Sequence, residues 1–331
     1  MRPLRILTWH IHGNYLWYLS QCRNEFYLPV KPDAPEGYGG RGNTFPFGDN
    51  VFDVPADRVR HEQFDCIIFQ SSTNYLEDQF EILSSEQRRL PRIFLQHDPP
   101  LDHPTEQRHW VDDPGILLVH VTPFNALMWD NGQTPTRVID HGVIVRENVR
   151  YTGELDRGIV VINNLGTRGR RLGPDVFEEA CRHVPLDLVG MNAESWGGIG
   201  EIHPVELNAF EARYRFLFNP IRYTSLGLAV IEAMMIGMPI IGLATTEMAT
   251  AIRNGVSGYV DTDLGRLIER MNHLLSNPAE ARRLGEGARQ YALERFHIDR
   301  FIRDWEDTFA LVAGNAPVRP APQHALLDRT F

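Results

Sequence analysis

The tightest constraint in this chain is the run from residue 214 to residue 260, YRFLFNPIRYTSLGLAVIEAMMIGMPIIGLATTEMATAIRNGVSGYV. Phe216, Leu217 and Phe218 are apolar and β-prone, and Asn219-Pro220 stops them. A glycine-bearing loop follows, and residues 226–236 are rich in Ala, Leu, Met and Ile, which suits a buried helix. Gly237 ends that helix, Pro239 restarts the chain, and Ile240-Ile241 opens another short apolar run. Strand, loop, helix and strand in such quick succession is the rhythm of a parallel α/β sheet. Such sheets bind ligands where loops leave the carboxyl ends of their strands, which singles out residues 219–227. Within the helix, Glu232 stands between Ile231 and Ala233. A carboxylate in an apolar run needs partners. A solvent-facing stripe or a backbone contact would supply them, and so would the hydroxyls of a ligand.

At 331 residues, 43% of them hydrophobic, the chain suits two α/β domains with real cores. The formal net charge of -10 argues against general nucleic-acid binding. Lys31 is the single lysine; the other basic side chains are arginines, the better planar forks for phosphate or carboxylate. Cys22, Cys66 and Cys181 show neither a disulfide framework nor metal-ligand spacing. The chain enters a strand almost at once, with no apolar leader. No apolar segment reaches the roughly 18 residues of a membrane span. A cytoplasmic location is expected. Membrane contact is expected to be peripheral at most, because the first 150 residues hold no basic cluster beyond Arg88, Arg89 and Arg92.

The first strand, residues 4–8, runs into His10, His12, Gly13 and Asn14 and then a helical pattern. Gly13 allows close approach of a ligand to the backbone, but the full glycine fingerprint of a dinucleotide site is missing. His12 and Asn14 suit either an acceptor site or ordinary loop hydrogen bonds. Residues 31–48, rich in Pro and Gly, form a loop long enough to fold over an acceptor or to stay without fixed structure. A polar helix is predicted over 75–89, and the strand at 92–95 delivers Gln96-His97-Asp98 to its carboxyl end. A domain boundary is expected near residues 150–157. The next strand leads into Asn164 and then Arg168-Gly169-Arg170-Arg171 before a helix opening at Pro174. Arginines beside a helix N-terminus suit an oxyanion cradle, and they equally suit a solvated basic loop. Three helices close the chain, and the Pro- and Ala-rich tail is expected to fray.

Taken together, LGLAVIEAMMIGMPIIG followed by IRNGVSGYV resembles family 4 glycosyltransferases over about residues 155–310, supported by His141-Gly142-Val143 and the arginine loop. The resemblance implies an α/β GT-B architecture: two Rossmann-like domains with mostly parallel sheets, facing each other across a cleft. The domains would be 1–152 on the acceptor side and 153–312 on the nucleotide-sugar side, with a flexible tail at 313–331. It implies transfer of a sugar from a UDP- or GDP-linked donor to a hydroxyl acceptor such as a glycan, a lipid-linked glycan or a small metabolite. Anomeric configuration would be retained, with no cofactor and no metal. His97, Arg168 and Thr224 are the expected catalytic residues. Gly13, Asn164, Arg168, Arg170, Arg171, Arg222, Leu226, Gly227 and Glu232 are expected on the donor, and His12, Asn14 and Asp98 on the acceptor side. One departure stands out: the family's first glutamate, eight positions before Glu232, is Thr224 here, so Arg222 is a candidate grip for the sugar. A non-catalytic sugar-binding partner subunit and a sugar-nucleotide epimerase are the alternative readings.

Overall fold

The computed structural model describes residues 2–314. Seven strands form the first sheet: β1 (Arg5–Thr8), β2 (Glu25–Val30), β3 (Val51–Pro55), β4 (Cys66–Phe69), β5 (Arg92–Gln96), β6 (Ile116–His120) and β7 (Thr136–Val138). Their spatial order is β3-β2-β1-β4-β5-β6-β7. Five more form the second: β8 (Leu155–Val161), β9 (Leu186–Val189), β10 (Tyr214–Asn219), β11 (Ile240–Leu243) and β12 (Gly258–Asp261), in the order β12-β11-β10-β8-β9. All neighbouring strands are parallel. Helices α1 (Gly13–Leu19), α2 (Gln79–Ile82) and α3 (Pro123–Met128) belong to the first half. The second half carries α4 (Pro174–Cys181), α5 (Pro204–Glu211), α6 (Leu228–Ile236), α7 (Met248–Ala251), α8 (Leu264–Ser276), α9 (Pro278–Arg295) and α10 (Ile298–Val312). No described helix is long and apolar enough to cross a membrane.

Both sheets have a point where the strand order reverses. In the first it lies between β1 and β4, and in the second between β8 and β10. Loops on either side of such a point diverge, leaving a crevice at the carboxyl ends of the strands. The central strands are apolar on both faces, as a sheet covered on two sides requires: every residue of β4 and of β10 is buried. Arg215 is the charged exception in composition. Its guanidinium is satisfied by Gly153 O at 2.9 Å, by Leu275 O at 2.7 Å near the end of α8, and by Asp156. A buried charge is tolerable only with such a full set of partners.

The predicted helix over 75–89 is broken in the structure. One π-helical turn (Asn74–Asp78) feeds the short α2, and a separate turn follows at Gln87–Arg89. Ser84 and Gln87 explain the break. The Gln87 side chain accepts from Ser84 N at 2.9 Å, and Ser84 Oγ accepts from Gln87 N at 3.2 Å, a reciprocal cap that starts a new turn. The loop over 31–48 is tied to the first sheet by bridges from Gly37 to His10 and from Gly39 to Val30. The tail, from residue 315 onward, lies outside the described residues.

By sequence order α10 follows the second half, yet it packs on the first. Phe301, Trp305 and Phe309 recur every four residues and form one buried stripe. Trp305 Nε1 donates to Tyr15 Oη at 3.1 Å, Phe309 lies against Phe26, and Phe301 fills the space left by Gly142, where a Cβ would overlap its ring. Trp305→Ala is therefore expected to cost about 3–5 kcal/mol in urea unfolding, the range for losing a fully buried aromatic. A loss below about 1 kcal/mol would mean that α10 does not hold the halves together.

Candidate active-site cleft

The first half builds one wall at its strand reversal. Gln70, just past β4, donates from Nε2 to Thr8 Oγ1 at 2.9 Å and to Trp9 O at 2.7 Å. Its carbonyl oxygen then lies 3.1 Å from His97 Nε2. That contact requires the hydrogen on Nε2, so Nδ1 is the acceptor nitrogen of the His97 ring. The backbone of His97 and Asp98 is fixed by Asn125 Nδ2 on His97 O at 3.0 Å, and by Gln96 Nε2 and Trp129 Nε1 on Asp98 O at 2.7 and 2.9 Å. The His97 ring centre is 4.0 Å from that of His12 and 4.9 Å from that of Tyr15. Burial holds the His97 imidazole well below its ordinary pKa, and the neighbouring His12 and His141 push the same way. His97 is accordingly neutral near pH 7.

Around this pair, His12 is exposed, whereas Asn14 and Asp98 are half-buried. Gly13 is approached by the chain itself: Phe45, from the loop over 31–48, occupies the space that a Cβ at residue 13 would take. Phe45 and Phe47 both lie against His10.

The opposite wall comes from the reversal between β8 and β10. Asn164 shapes its loop, with φ of 56° and its amide on Met191 O at 2.8 Å, while its side-chain carbonyl takes the Asn192 amide. Arg168 is exposed and makes no ion pair among the described residues. Arg170 lies 3.1 Å from Asp175, and Arg222 holds the same carboxylate through two contacts of 2.5 and 2.8 Å. Arg222 is thus committed to Asp175. Arg171 O accepts from the amides of Arg222 and Tyr223 at 2.9 and 3.3 Å, which joins the two loops. Thr224 is half-buried and Leu226 is buried. Gly227 is the N-cap of α6, and a Cβ there would meet nothing within 4 Å. The amino end of α6 therefore opens onto free space, where its unpaired amides favour an anion.

Glu232, on α6, is buried and accepts from Tyr18 Oη of α1 at 2.6 Å. Burial raises its carboxyl above the ordinary value, against the opposing pull of Tyr18. Further contacts join the walls. Phe124 packs edge-on against Tyr223 with ring centres 5.9 Å apart, and Phe124 N donates to Glu247 at 3.1 Å. Arg295 bridges Glu247 at 2.7 Å and Asp140 at 2.9 Å. His141 sits under the cleft, 5.6 Å from the Tyr15 ring centre, with both ring nitrogens sealed from solvent and without a hydrogen-bond partner among the described residues. Tyr18, Gln70, Phe45 and Glu247 went unrecognised in the sequence because their partners are distant along the chain; Tyr18 and Glu232 are 214 residues apart. Among the described residues, no group of three or more His, Cys, Asp or Glu is placed to hold a metal ion.

Two reversal-point crevices from separate parallel sheets, opening onto one cleft, define a GT-B fold. Solved structures agree across nearly the whole chain. Sucrose-phosphate synthase from Thermosynechococcus elongatus superposes with a TM-score of 0.69 at 14% identity, covering 96% of this chain and 100% of that one. HepE of Anabaena, solved in complex with UDP-glucose, gives 0.67 at 12% identity, covering 93% and 100%. At such identities the likeness is one of fold.

Residues 199–291 match the family model described as Glycosyl transferases group 1. This match corrects the expected family 4 affiliation: the likeness over these residues is to group 1 glycosyl transferases. Among curated proteins, the trehalose synthase of Pyrococcus horikoshii is 26% identical over 138 residues, 42% of this chain and 32% of that protein. D-inositol 3-phosphate glycosyltransferase 1 of Catenulispora acidiphila is 36% identical over 181 residues, 44% of this chain and 43% of that protein. The matched region thus spans less than half of these relatives.

The sealed histidine makes a stability prediction. Burial, reinforced by Arg300, lowers the His141 pKa to about 3. In the unfolded chain it binds a proton below about 6.5, so it destabilises the fold as pH falls through that value. His141→Phe removes this term. Relative to the parent, the variant should gain about 2 kcal/mol of unfolding free energy between pH 7 and pH 5, measured by urea titration at both pH values. An unchanged difference would mean that His141 is already solvated or paired.

Proposed function

We propose that this chain moves a sugar from a nucleoside diphosphate sugar to a hydroxyl acceptor, with retention of anomeric configuration. The observation that carries the reading is the placement of unlike chemistry on the two walls of one cleft. Arg168 and the open amino end of α6 lie on one, and a neutral, oriented His97 with His12 and Asp98 lies on the other. The complex of the fold neighbour HepE with UDP-glucose supports a donor of this class. UDP- and GDP-linked sugars are the first candidates.

In the reaction, the bond between C1 of the sugar and the phosphate oxygen breaks, and its electron pair leaves with the nucleoside diphosphate. Arg168 and the α6 amides meet the charge that grows there, with Arg170 and Asn164 shaping the same loop. The acceptor oxygen bonds to C1 from the face that the phosphate leaves. Its proton passes to the departing phosphate oxygen, so atoms and charge balance without a protein nucleophile. His97 Nδ1 accepts a hydrogen bond from a donor-sugar hydroxyl, and Thr224 supplies one neutral hydroxyl to the same sugar. His12, Asn14 and Asp98 border the acceptor. Glu232, with one oxygen held by Tyr18, accepts from a ribose hydroxyl with the other.

Arg168→Ala should weaken binding of the donor by about tenfold or more, the worth of a charge-assisted phosphate contact. His97→Ala should lower kcat by roughly a hundredfold with a smaller change in donor affinity. Calorimetry and a nucleotide-release assay, run with a chelator present, check both. If both variants match the parent, the site is elsewhere. Donor binding without transfer or hydrolysis in the parent would favour the alternative of a sugar-binding partner, for which Thr224 is the motivating feature.

A further inference from the structure

The loops over 163–172 and 220–227 contain four arginines, Arg168, Arg170, Arg171 and Arg222, and no carboxylate of their own. The nearby Asp175 neutralises one charge and is shared by Arg170 and Arg222. A nucleoside diphosphate ester brings two negative charges, which leaves one guanidinium beyond what the diphosphate needs.

Arg171 is the arginine with that role. Among the described residues its side chain makes no ion pair and no hydrogen bond. Only its Nε is sealed without a partner, so its amino nitrogens remain open to a ligand. Its backbone is pinned to Arg222 and Tyr223, which places it next to Thr224 on the donor loop. Among the described residues the hydroxyl of Tyr223 also lacks a partner, and its ring faces the opposite wall through Phe124. At position 224 a neutral hydroxyl stands where a glutamate would repel an acidic sugar. A free guanidinium fork beside neutral hydroxyls is a site for a carboxylate.

We propose that the sugar transferred is itself acidic: the donor is a nucleoside diphosphate uronic acid, and Arg171 pairs with the sugar carboxylate beside Thr224. This rests on the donor-site reading above and extends it to the substrate class.

The test is calorimetric binding of UDP, UDP-glucose, UDP-glucuronic acid, GDP-mannose and GDP-mannuronic acid to the full chain. In the parent, the acidic sugar of the recognised base should bind at least about tenfold tighter than its neutral counterpart. In Arg171→Ala that preference should fall within about threefold, while the affinity for the bare nucleotide stays as in the parent, which also reports that the variant is folded. Thr224→Glu should reverse the preference. A neutral sugar binding as tightly as the acidic one in the parent would overturn the proposal and leave the donor site standing. Equal weakening of nucleotide and both sugars by Arg171→Ala would make Arg171 a diphosphate contact and overturn it too. Silence toward every nucleotide would overturn the donor-site reading together with this one.

Discussion

Glu232 and Tyr18 come from opposite halves of the chain and meet in a buried hydrogen bond of 2.6 Å. A carboxyl group taken out of water must be paired or protonated, and losing the partner of such a group costs about 1–3 kcal/mol. The helix that presents Glu232 is otherwise apolar and packs deep in the second half, so it cannot turn the group outward. The docking of α1 against α6 thereby becomes specific and not merely apolar. Glu211 lies close by, buried with its own carboxyl raised by burial and by Glu232, and Asn208 satisfies one of its oxygens at 3.0 Å. With α10 clasping Tyr15 from the far side, α1 is held at both ends, and so is the loop that carries His12 and Gly13.

That rigidity sets the chemistry of the cleft. His97 is placed by Gln70, which is itself spent on the first strand, so the ring has one orientation and one free acceptor. On the facing wall the arginines are sorted by partners. Asp175 fixes two of them, while Arg168 makes no ion pair among the described residues and keeps its charge available. A preorganised cation beside a helix amino end needs no reorganisation when negative charge grows on a leaving group. Phe124 on Tyr223, together with the Glu247, Arg295 and Asp140 network, closes the seam next to this loop.

Much of this was legible in the sequence, and the rest was hidden for physical reasons. Apolar runs such as 216–218 and 240–241 announced buried parallel strands, and Gly237 marked the end of the helix between them, which starts at Leu228 and not at the expected Leu226. The polar residues after each strand were correctly sent to the carboxyl edges of the sheets, because that follows from βα order alone. The helix predicted over 75–89 failed because a side-chain cap at Ser84 and Gln87 outweighs average propensity. The side to which α10 docks could not be read, since its Phe301, Trp305 and Phe309 stripe fits either sheet. Pairing was hidden most completely. Arg222 reads as a free cation until Asp175 is brought beside it, and nothing along the chain announces that Tyr18 holds one oxygen of Glu232.

The claim on which the account turns is that loops from both reversal points share one ligand. Hydrogen exchange of the amides, with and without saturating UDP and then GDP, tests it most directly. The account predicts slower exchange in three separate stretches for one of these nucleotides: the loop over 163–172, the segment 224–232, and residues 12–14 across the cleft. Protection confined to a single stretch, or exchange unchanged by either nucleotide, would contradict it.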